Sequence, residues 1–115
     1  MLRKSFLIAE SVTAGELVEF DSNGKLKAAS SATENFAGVV VDDATFVSGE
    51  DTYATVYMAT EIVKLTSGAA VTAGDLVQVD TTGTKVIKST AFAKTIGRAL
   101  ESVSGSDEAL EVLLL

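Results

Sequence analysis

A ten-residue stretch, Val12-Thr13-Ala14-Gly15-Glu16-Leu17-Val18-Glu19-Phe20-Asp21, returns 59 positions later as Val71-Thr72-Ala73-Gly74-Asp75-Leu76-Val77-Gln78-Val79-Asp80, with three substitutions. The same offset pairs Gly24 with Gly83, Ala32 with Ala91 and Gly38 with Gly97. One shift that keeps glycines and aspartates in step over such a length marks an internal duplication. Two hairpins converging on the same turn chemistry would be the other origin, because Gly and Asx recur in turns for local backbone reasons. Both origins require the two halves to share local structure.

The repeated unit reads as strand, turn, strand. Ala-Gly supplies a tight turn, and the residues after it alternate, so that Val18 and Phe20, or Val77 and Val79, share one face while Glu19 and Gln78 point the other way. Asp21-Ser22-Asn23-Gly24 and Asp80-Thr81-Thr82-Gly83 are hairpin turns, with Gly at the left-handed position. Leu26 aligns with Val86 at an offset of 60, so the second turn holds one extra residue, which a bulge would absorb. Further strands are expected over Phe36–Val41 with Ile96–Leu100, Thr52–Met58 with Ala109–Leu115, and Glu61–Leu65. The first of these pairs is nearly continuous apolar sequence, as in a strand buried on both faces. Short helices or turns fit Ser30–Asn35 and Ser89–Lys94.

Turn signals every 8 to 12 residues or so predict an all-β domain, a small β-barrel or β-sandwich. The 115 residues make one domain, with residues 1–10 an N-terminal arm or strand and the repeats over 11–58 and 70–115. Its core is predicted to hold Val18, Phe20, Leu26, Val39, Val41, Val56, Val77, Val79, Val86, Ile96, Leu110 and Val112. With no proline anywhere, edge strands need charge, bulges or a partner chain for protection.

Composition removes most kinds of chemistry. There is no cysteine and no histidine, so disulfides, thiolate metal sites, zinc sites and His-based triads are all ruled out. A net charge of −7 opposes binding to phosphate backbones or anionic membrane surfaces, so nucleic acid and membranes are not expected partners. The apolar run Phe6–Ala9 behind Arg3 and Lys4 stops at Glu10, short of signal-peptide length, and no stretch approaches the ~20 apolar residues of a membrane helix. Neither export through a signal of its own nor a membrane span is expected.

Several motifs look chemical but read better as structure. Asp80-Thr81-Thr82-Gly83-Thr84 resembles the phosphorylation motif of P-type ion pumps, yet it lacks the lysine, and its first copy, Asp21-Ser22-Asn23-Gly24-Lys25, keeps only turn residues. The acidic pairs Asp42-Asp43, Glu50-Asp51 and Asp107-Glu108 lack EF-hand spacing and read as solvated loop charge. A Lys64–Ser67 pair falls at a strand end, and with no Trp and two Tyr there is little to stack against a sugar. No catalytic, cofactor-binding or metal-binding residue is predicted. The one charge asymmetry is the segment Met1–Ile8, where Arg3 and Lys4 sit among the apolar anchors Leu2, Phe6, Leu7 and Ile8 on an acidic body. These six residues are the candidate contact with another subunit or surface.

The run Val71-Thr72-Ala73-Gly74-Asp75-Leu76-Val77, then Asp80, Gly83, Ile96-Gly97-Arg98-Ala99-Leu100-Glu101 and an aliphatic closing strand, resembles a family of tailed-phage capsid cement proteins. Phe36-Ala37-Gly38-Val39-Val40 extends the likeness into the first half. The resemblance implies a non-enzymatic head-decoration protein without a cofactor, made in the host cytoplasm and placed on the outer surface of the virion. It implies self-association, usually as a homotrimer, and binding to the major capsid protein, and it transfers no site residues. A small-ligand or carbohydrate-binding β-barrel module is the alternative.

Overall fold

The computed structural model describes residues 2–115 and shows ten strands and one 3-10 turn. The strands are β1 (Arg3–Leu7), β2 (Leu17–Phe20), β3 (Leu26–Ala28), β4 (Phe36–Val40), β5 (Tyr53–Tyr57), β6 (Ile62–Thr66), β7 (Leu76–Val79), β8 (Val86–Lys88), β9 (Thr95–Ala99) and β10 (Ala109–Leu114). They form two five-stranded antiparallel sheets, in the orders β1-β5-β4-β2-β3 and β6-β10-β9-β7-β8, packed in a sandwich-like pair. The orders are the same once β1 is matched to β6, so the chain is all-β with a repeated unit. In each half a parallel bridge, Ile8 to Leu26 or Ser67 to Val86, ties the two sheet edges together and curls the sheet on itself. At 44 × 23 × 22 Å, the molecule is two such lobes end to end.

The structural repeat reaches further than the sequence repeat. β1 is the counterpart of β6, a relation hidden because Arg3-Lys4-Ser5-Phe6-Leu7 and Ile62-Val63-Lys64-Leu65-Thr66 have no residue in common. β5 matches β10 at an offset of 56, because Tyr57 and Leu113 face the cognate residues Val39 and Arg98. The expected alignment of Thr52 with Ala109 is therefore one residue out. The loop before β10 is three residues shorter than the loop before β5. The extra residue of the second hairpin lies in the turn, which closes from Asp21 to Lys25 in one copy and from Asp80 to Lys85 in the other. The bulges fall elsewhere, on β4 opposite Val18/Glu19 and on β9 opposite Val77/Gln78.

Those bulges explain the paired glycines. A Cβ on Gly38 would lie 2.2 Å from the Tyr57 carbonyl oxygen, and one on Gly97 would lie 2.6 Å from that of Leu113. Only glycine lets the central strand approach its neighbour so closely. The Ala-Gly turns are also equivalent: the Gly15 and Gly74 amides donate to the Val40 and Ala99 carbonyls, each at 2.8 Å. Residues 30–35 are non-helical, while Phe92–Lys94 forms the 3-10 turn.

Of the predicted core residues, Phe20 and Val41 are only partly buried and the rest are buried. The first lobe has an apolar centre made of its own residues, among them Ile8, Val12, Val18, Leu26, Val40 and Val56. The second lobe does not close by itself. Leu17, Ala29 and Val39 of the first lobe, with Phe36 and Tyr57 beside them, complete a cluster otherwise built from Val63, Leu65, Val77, Val79, Ile96, Val112 and their neighbours. One face of the first sheet thus caps the core of the second.

Candidate interaction surface

Polar side chains singled out in the sequence are held by turns and loops. Asp80 Oδ1 accepts from the Thr82 amide and hydroxyl, and Asp21 Oδ1 from the Asn23 and Lys25 amides, as Asx turns do. The Lys25 amide, against a smaller opposing effect of burial and with help from Asn23 and the Lys25 and Lys27 charges, holds the Asp21 carboxyl below its ordinary value. Ser67 is fully buried; its hydroxyl donates to the Gly105 carbonyl at 2.7 Å and accepts from the Glu108 amide, so it anchors a loop. Lys64, on the exposed side of β6, is no base for it.

Two of the three acidic pairs behave likewise, and the third, Glu50-Asp51, is exposed. Asp43 accepts from the Ala14 amide, Glu108 from the Gly105 amide, and Asp107 pairs with Lys85. The Asp107 hydrogen bond and charge keep the Lys85 ammonium raised above its ordinary value. Among the described residues, no three carboxylates gather closely enough to hold a metal ion, and no helix is long and apolar enough to cross a membrane.

Glu19 and Gln78 are the polar residues whose part the sequence conceals. They point away from the valine face, as expected, but both are buried. Glu19 Oε1 accepts from the Ser30 amide and hydroxyl at 2.6 and 2.7 Å; Gln78 Oε1 accepts from the Thr90 amide and hydroxyl at 2.9 and 3.2 Å. Burial pushes the Glu19 carboxyl up. The Ser30 bonds, Thr33 and the Lys27 ammonium outweigh burial and hold it below its ordinary value. Each side chain pins the loop after β3 or β8 to the sheet. Only the recurrence of a hydroxyl residue 11 or 12 positions further on, Ser30 or Thr90, could have signalled this.

The segment proposed for contacts is mostly strand β1. Met1 lies outside the described residues. Leu2, Arg3 and Lys4 are exposed, Phe6 and Leu7 are half-buried, and Ile8 is buried at the edge bridge, where it serves the core and presents nothing outward. Arg3 reaches across to the second lobe: its Nε lies 3.5 Å from Glu61 Oε1, and its guanidinium sits over the Tyr57 ring at 4.7 Å. Phe6 meets Phe20 edge-to-face at 5.0 Å, with Lys4 over its ring. Other large apolar side chains at the surface are Phe46, Val47, Tyr53, Ile62, Leu100, Leu115 and Phe92, the last 83% exposed.

The polar side chains named above hold turns and loops, and large apolar side chains reach the surface. The fold is that of a solved structure described as the head fiber gp8.5 N base of bacteriophage phi29. The match covers 99% of this chain and 95% of that one, with a TM-score of 0.69 and 16% sequence identity. No curated protein sequence matches the chain. The family model described as phage cement protein matches residues 46–114, and the chain belongs to that family. It is a structural protein of the phage head.

Proposed function

We propose that this chain binds the outer surface of a phage head shell as a homotrimer and stabilises the shell against rupture, without catalysing any reaction. The family match across residues 46–114 carries this reading. The exposed apolar residues support it in physical terms. Scattered over a small domain they bind weakly one at a time, and three copies on one lattice site convert weak contacts into firm attachment. Leu2, Lys4 and the outer sides of Phe6 and Leu7 are the proposed subunit contacts from β1, and the major capsid protein is the proposed partner of the assembled protein.

The purified chain, added to heads that lack it, should co-sediment with them and raise the temperature at which they release their DNA. Heads that sediment without the protein at micromolar concentrations would refute the reading.

A further inference from the structure

We infer that the contact between the two lobes is used a second time, between copies: the free face of the second lobe caps the open end of the first lobe of a neighbouring copy, head to tail. The reading refines the self-association proposed above, and its basis is a comparison of cognate positions. Many of the positions at which the repeats differ in burial lie along this contact. On the capping side, Leu17, Val39 and Ala29 are buried against the second lobe, whereas their cognates Leu76, Arg98 and Ser89 are exposed or half-buried. On the receiving side, Val63, Leu65, Val79 and Leu114 are buried, whereas their cognates Lys4, Phe6, Phe20 and Met58 are not. One molecule therefore carries an uncovered capping face at one end and an uncovered receiving end at the other.

Individual contacts have unfilled counterparts. The Ala32 amide donates to the Val79 carbonyl across the lobes, and Gly83 is so close that a Cβ there would lie 2.2 Å from the Ala29 carbonyl oxygen. Gly24, the cognate of Gly83, is exposed with nothing around its Cβ position. The loop cognate to Ala32 carries Phe92, the most exposed large apolar side chain among the described residues. Repeating the contact brings Phe92 to the Phe20 end of the next copy, beside a groove where Lys27 pairs with Glu19 and leaves Asp21 and Glu34 to face the Lys94 charge. The Arg3–Glu61 pair has as cognates Ile62 and Leu2, both about half exposed. Between copies that ion pair becomes an apolar pair. A contact joining unlike surfaces closes into a ring if its rotation permits, and three copies would place six lobes around it.

Because the chain has no cysteine, single-cysteine variants report directly. Leu2→Cys and Ile62→Cys chains, mixed and oxidised, should form the mixed disulfide in preference to either homodimer. Phe92→Asp should weaken association at least about tenfold without changing the circular dichroism or melting of the chain, and Tyr53→Asp, away from this surface, should not weaken it. Prevailing homodimers, a monomeric wild-type chain at millimolar concentration, or full oligomer mass in Phe92→Asp would each overturn the inference. A ring that forms but ignores heads would leave it standing and refute only shell binding.

Discussion

At the scale of single residues, buried polar groups and close-approach glycines set the sensitivities. Glu19 is held ionised by the Ser30 amide and hydroxyl, and its folded pKa lies below the ordinary 4.5. A depressed carboxyl contributes stability above its unfolded pKa and loses it as pH falls through the folded value. Glu19→Gln, the residue its cognate already uses, should stay within about 1 kcal/mol of wild type near pH 7. It should also flatten the loss of stability below about pH 4.5 in urea titrations taken at several pH values. Glu19→Ala strands the Ser30 donors and should cost about 2–3 kcal/mol. Gly38→Ala places a methyl against the Tyr57 carbonyl and should cost about 2–3 kcal/mol in the same assay, with Gly97→Ala similar. Equal stability in the alanine variants would mean that the central strands can move apart.

At the scale of elements, β1 is the informative strand. A charged, apolar segment before the first repeat reads as an arm or a strand, and it pairs with β5 from Arg3↔Tyr57 to Leu7↔Tyr53 as part of the folded sheet. Removing residues 1–5 should therefore lower the melting temperature by several degrees, through the lost strand edge and the Arg3–Glu61 contact, yet leave a folded chain. Removing residues 1–8 also takes Phe6 and Ile8 from the first core and should cost about 3–5 kcal/mol. Calorimetry of the two truncations separates the effects, and equal melting of both would deny Ile8 its place in the core. The hairpins, the Ala-Gly turns and β4 with its counterpart were legible because local backbone chemistry specifies them. The β1–β6 equivalence was not, since Lys4 is exposed where its counterpart Val63 is buried, and the two strands share no residue.

For the whole molecule, the two lobes differ in independence. The first has a core drawn only from its own residues, whereas the second borrows Leu17, Ala29 and Val39. Expressed as separate chains, residues 2–59 should show strand circular dichroism and a cooperative melt. Residues 61–115 should gain theirs only when the first fragment is added. A second fragment that melts cooperatively alone would show that the cap is dispensable.

The order of amino acids is enough to specify the strand-turn-strand unit, its duplication and the all-β class, because periodicity and turn residues act through the nearest few positions of the chain. It also excluded His- and Cys-based chemistry by composition. Packing between the lobes sets which of two equivalent faces is covered, and the folded sheet turns Ile8 inward and buries Glu19 with its hydrogen bonds made. Burial of a repeated position depends on what the other lobe places against it, and two nearly identical stretches carry no record of which one is capped.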